Sequence, residues 1–191
     1  IDLVEAIDGV ERAERSPWSI PPTNTSTVQA VVDTSPISFM VAVERLKVVK
    51  TRDDIARVAV RAALTRFQRA CLLTVYPDAV VGWQGVGEGF EGVADVVIRR
   101  DAPSVFDLVA NNRAHYIGPL QRFTAHGAWV KATGKRIPRA VFVMPILVRG
   151  QAVSLLVADN GAEGIADADV GELLILAQHI AASFESLIEQ Q

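Results

Sequence analysis

Apolar residues recur along this chain in two rhythms, and the expected element changes where the rhythm changes. Over residues 2–15, Leu3, Ile7 and Val10, with Ala6 and Ala13, fall on one stripe of a short amphipathic helix. Ser16 to Thr27 then sets three prolines among small polar residues, which reads as an extended linker, although its Trp18 and Ile20 call for apolar surface to dock on. Helical spacing resumes at Ile37, Met40, Val41, Val43 and Leu46, with Ser35 and Pro36 as the expected cap and first turn. Thr51-Arg52-Asp53-Asp54 opens a second core helix. Its Ile55, Val58, Ala59, Ala62, Ala63 and Phe67 share one face, opposite a solvated row of Arg57, Arg61 and Arg66.

The rhythm becomes strand-like after Arg69. Ala70 to Val75, a turn at Pro77-Asp78 and Ala79 to Trp83 predict a hairpin, followed by a glycine-rich stretch from Gly82 to Gly92 and a strand from Val93 to Ile98. Pro103-Ser104 starts a short helix that Asn111-Asn112 ends, His115-Tyr116-Ile117 is a candidate strand, and 122–132 a short helix weakened by Gly127. The clearest signal comes last. Arg139 to Val148, the turn Arg149-Gly150-Gln151 and Ala152 to Ala158 are two apolar segments joined tightly, so both strands are expected to be central and covered on both faces, with Val143, Ile146, Leu155 and Val157 deeply buried. A long terminal helix follows, with capping-box spacing at Asp169 and Glu172 and apolar residues from Leu173 to Ile188.

Composition narrows the class. A chain of 191 residues, half of them hydrophobic, accommodates one core plus an extension, here divided as 1–34 and 35–191. A net charge of −3 with scattered basic residues argues against nucleic acid and anionic membranes as partners. No apolar run reaches the ~20 residues of a membrane span. The single cysteine, Cys71, reads as a buried structural thiol, rules out a disulfide within the chain and favours a cytoplasmic setting.

Candidate chemistry is sparse. Gly87-Glu88-Gly89-Phe90-Glu91-Gly92 fits the dinucleotide pattern G-x-G-x-x-G, but a β-branched run follows where the pyrophosphate-binding helix should start. Thr133-Gly134-Lys135 lacks the rest of a phosphate loop. His115, His126 and His179 show no metal-ligand spacing, no nucleophile signature occurs, and Asp95, Asp101 and Asp107 read as solvated charges, so neither a catalytic residue nor a metal or cofactor is assigned. More suggestive are the aromatics of the middle segment, which either line a small-molecule pocket or form the core beneath its loops. Trp83, Phe106, Tyr116, Phe123, Trp129 and, from the following strand, Met144 are the candidate pocket residues.

The order helix, helix, hairpin, variable middle, hairpin, terminal helix resembles a GAF domain, most specifically in Phe142-Val143-Met144-Pro145 and the turn glycine Gly150 before Ala152 to Ala158. PAS domains, the runner-up, usually lack two long helices before the first hairpin. The resemblance implies an α+β fold, with a central antiparallel sheet of roughly five to six strands and the N- and C-terminal helices on one face. It also implies a ligand cavity under the variable middle and a non-catalytic role in bacterial-type signalling, binding a small molecule or mediating contacts with a protein partner. Three specialised roles of the family fit poorly: an Asn-Lys-Phe-Asp-type cyclic-nucleotide signature is missing, the lone cysteine is in the first strand rather than the middle where a bilin would attach, and sulfoxide reduction uses several cysteines. The terminal stripes, too wide for one sheet face, predict a homodimer through Leu3, Ile7, Val10, Ile180, Phe184 and Leu187.

Overall fold

The computed structural model describes residues 33–120, 123–134, 136–165 and 170–190. Five α-helices lie among them: α1 (Phe39–Leu46), α2 (Arg52–Ala63), α3 (Val105–Asn112), α4 (His126–Ala132) and α5 (Gly171–Glu189). Six strands, β1 (Arg69–Val75), β2 (Ala79–Val86), β3 (Val97–Arg99), β4 (Tyr116–Gly118), β5 (Val141–Val148) and β6 (Gln151–Asp159), form one antiparallel sheet in the order β3-β2-β1-β6-β5-β4. The expected helix over 2–15, with Leu3, Ile7 and Val10, lies outside the described residues.

Local chemistry sets the helix starts. α1 begins later than expected because Ser38, not Ser35, accepts the Val41 N–H, while the Ile37 N–H is spent on the Arg61 carbonyl of α2. Thr51 caps α2 as anticipated, in a reciprocal pair with Asp54 that satisfies two N–H groups at once. α3 runs through both asparagines and stops only at Arg113, which takes a left-handed conformation at φ 56°. α5 starts at Gly171, with Val170 at the cap position and no side-chain cap bond; Asp169 of the expected capping box lies outside the described residues, and Glu172 pairs with Arg66 of α2.

The hairpin of β5 and β6 turns on Arg149 and Gly150, both at positive φ as the shortest hairpin turns require. β6 lies between β1 and β5, and Val143, Ile146, Leu155 and Val157 are all fully buried. Alternation along these strands feeds two cores. Cys71 and Leu73 of β1, Leu155 and Val157 of β6, and Val141 and Val143 of β5 face α3 and α4 across the variable middle. Their neighbours Leu72, Leu156, Phe142 and Met144 point the other way, where α1, α2 and α5 pack and the Phe67 and Phe142 rings stack 5.6 Å apart.

The glycine-rich stretch is less of a loop than expected. Gly82 and Gly85 belong to β2, and the predicted strand from Val93 divides into a 3₁₀ turn (Val93–Asp95) and the short β3. The reason is steric: that turn lies directly on β2, and a Cβ at Gly82 would stand 1.6 Å from the Val93 carbonyl oxygen. Gly82→Ala should therefore cost at least about 1–3 kcal/mol in denaturant unfolding, because the turn must lift off the strand. Gly127→Ala, in α4 with open space around it, serves as the comparison and should be neutral or stabilising by up to ~1 kcal/mol. Equal stability of the two variants would contradict this packing.

Candidate functional site

The candidate pocket residues divide between the two sides of the sheet. Phe106 and Trp129 come together under the variable middle, ring centroids 5.2 Å apart, with Phe90 edge-on to Trp129 at 5.4 Å. Phe123 joins through His126, and Tyr116 packs on the rim, its hydroxyl donating to the Pro119 carbonyl. Phe90, Phe106 and Trp129 are at most 1% exposed. Side chains therefore fill the space where a cavity was expected.

His126 stands in no metal-ligand spacing. It is buried, and its Nε2 accepts the Val105 N–H at 3.0 Å, satisfying one of the free donors at the start of α3 while Ser104 caps another. Asp107, read as a solvated charge, is tied to Arg100, which also reaches the Tyr76 carbonyl and Asn111. These bonds hold α3 against the edge of the sheet.

A buried ion pair closes one end of this core. Arg69 and Asp159, opposite each other on β1 and β6, meet at 2.6 Å between Nε and Oδ1, and both side chains are nearly inaccessible. The Arg69 guanidinium lies over the Phe90 ring at 4.7 Å and donates to the Glu88 carbonyl, while Asp159 also accepts the Gly161 N–H. Among the described residues, Arg69 Nη2, Asp159 Oδ2 and the Trp129 indole N–H find no hydrogen-bond partner. Nothing in the spacing of Arg69 and Asp159, 90 residues apart, announced this pair.

Trp83 and Met144 sit on the opposite side. Trp83 lies 6.4 Å from Phe184 of α5, under the Arg52 guanidinium, and its indole N–H donates to Asp53. Ile180 and Phe184, expected at a dimer interface, are buried within the chain at 0% and 6% exposure, and Leu187 is half-buried. They are consumed by α5 packing on its own sheet and on α1, where Ser183 donates to the Leu46 carbonyl. Concavities on this side, among the described residues, include two of note. One, of about 240 Å³, is lined by Met144, Pro145 and Leu147 of β5, Leu174, Ala177, Gln178 and Ala181 of α5, and Arg113, Ala114 and His115. The other, of about 360 Å³, is a shallow apolar hollow on α1 formed by Met40, Val41, Glu44, Arg45 and Val48.

Reactive chemistry is poorly served. Cys71 is fully buried, and burial, reinforced by the charge of Asp159, pushes its thiol well above its ordinary pKa, so thiolate is scarce. Among the described residues no group of His, Cys, Asp and Glu has the arrangement of a metal site. No helix among them is long and apolar enough to cross a membrane.

The order of strands, the helical layer and the variable middle decide the fold. It is a GAF-like fold. The chain is similar to a GAF domain from a phosphoenolpyruvate-protein phosphotransferase of Coxiella burnetii at TM-score 0.64 and 14% identity, covering 80% of this chain and 93% of that one. Residues 122 to 287 of a methyl-accepting chemotaxis protein superpose at TM-score 0.64 with 17% identity, covering 80% of this chain and 98% of that one. Free methionine-R-sulfoxide reductase from Neisseria meningitidis gives TM-score 0.63 and 16% identity, covering 80% and 89%. No protein-family model and no curated protein matches the sequence.

The Arg69–Asp159 pair makes a sharp prediction for this GAF-like core. Arg69→Met leaves a buried carboxylate without its cation and should cost about 3–5 kcal/mol, whereas adding Asp159→Leu should recover part of that loss. Additive losses in a double-mutant cycle measured by urea unfolding would contradict the coupling.

Proposed function

We propose that the chain is a non-catalytic regulatory domain of a signalling protein, acting through association of its helical layer. Three features support this reading: the GAF-like fold, the filled space under the variable middle, and above all the apolar face left open on α1. Met40 is 65%, Val41 42% and Val48 73% exposed, a cluster that water disfavours and that a partner surface would cover. Glu44 and Arg45 lie in the same hollow. Glu44 pairs with Lys47 of its own chain, which leaves Arg45 as the hollow's cation; a two-fold axis through the hollow would place like apolar surfaces against each other, and the partner we favour is another molecule of this chain.

This moves the proposed interface from Ile180 and Phe184, which are spent internally, to α1. The small-molecule role implied by the resemblance keeps its place only as a proposal, since Phe90, Phe106 and Trp129 occupy the space it would use. Light scattering of the 20.6 kDa chain at micromolar concentration should report about twice that mass. A Val41→Glu/Val48→Glu variant, altered only at exposed positions, should stay folded and raise the dimer dissociation constant roughly tenfold or more. A monomeric parent chain, or a dimer indifferent to both substitutions, would contradict the proposal.

A further inference from the structure

We infer that the groove between β5 and α5 is a binding site for a small carboxylate with an apolar body. It is separate from the α1 face and from the aromatic core, and it does not depend on the association proposed above.

The floor of the groove is apolar: Met144, Pro145 and Leu147 from β5, with Leu174 on one bank. Ala177 and Ala181 follow Leu174 on the same stripe of α5, and their single methyl groups leave the space over β5 open where longer side chains would fill it. About 240 Å³ accommodates on the order of eight water-sized groups at roughly 30 Å³ each, the scale of one ring with a substituent.

The rim supplies the polar half. Arg113 and His115 both line the groove and are exposed, no lining residue is acidic, and Gln178 adds an amide donor. Among the described residues, neither the Arg113 nor the His115 side chain makes a hydrogen bond or an ion pair, whereas Arg57, Arg66, Arg69, Arg99, Arg100 and Arg136 are each paired with a carboxylate. A guanidinium presents parallel N–H groups that fit the two oxygens of a carboxylate, and beside an apolar floor such a bond excludes some of the water that would weaken it.

The backbone under Arg113 gives an independent reason to look here. It sits at φ 56° and ψ 29°, closing α3 in the left-handed conformation that glycine or asparagine ordinarily occupies at that position. An arginine there is strained, and strain of this kind collects where a side chain is needed for binding. Folding alone would favour glycine.

Benzoate is a probe of suitable size, and benzamide is its neutral isostere. Titrated into the 191-residue chain, benzoate should shift the Met144 methyl resonance and the amides around Arg113–His115 and Leu174–Ala181, with benzamide about tenfold weaker or more. Arg113→Gly should weaken benzoate by a similar factor while leaving the melting temperature unchanged or raised, which separates lost binding from lost folding. Equal affinity for benzoate and benzamide, parent-like binding by Arg113→Gly, shifts centred on Phe106 and Trp129, or no response up to about 20 mM would each overturn the assignment.

Discussion

Strands β1, β6 and β5 have no polar face to turn toward water. Leu72 and Leu73, Leu155, Leu156 and Val157, and Phe142, Val143 and Met144 are all at most 1% exposed, although successive residues point to opposite sides of the sheet. Such strands must be covered twice, and everything else in the chain is arranged to do so. The helices α2 and α5 cover one side, with α1 packed on both of them, while α3, α4, the 3₁₀ turn on β2 and the aromatic cluster cover the other. The Arg69–Asp159 pair finishes the second cover at the end where Gly87 and Gly89 bring the loop down onto β1.

Period and punctuation made much of this legible beforehand. The β5–β6 hairpin follows from two apolar runs around Arg149-Gly150, and α2 from Thr51 and the spacing of Ile55, Val58 and Ala62. The side to which each residue points was harder to read. Val80 and Gly82 face the side of Val93, so alternation alone puts Trp83 among the helices instead of beside Phe106 and Trp129, and the register shift opposite Leu72 and Leu73 begins only there. Met144 differs from Val143 by one position and therefore by one whole core.

The wide stripe on α5 shows a different limit. Sequence counts apolar positions but not the surfaces that meet them, and α5 packs on β5 while also contacting α1 and α2. Ile180 and Phe184 are spent in those contacts. α1, which carries a less conspicuous pattern, keeps Met40 and Val41 outside, as does Val48 just past its end. Arg113 and His115 carried no motif at all. They gain meaning only because α3 ends in a left-handed residue beside the alanines of α5.

These assignments turn on one physical claim: the space under the variable middle is a filled core, and the surfaces available to other molecules lie on the helical side. The Trp129 indole N–H reports on that claim directly, being fully buried among Phe90 and Phe106 with no acceptor of its own. Its exchange with deuterated solvent, followed by NMR beside the backbone amides of β5 and β6, measures how often this core opens. Exchange as slow as the slowest of those amides, set by global unfolding, is the predicted result. Exchange orders of magnitude faster while β5 and β6 stay protected would show a space that opens on its own, and would contradict the account.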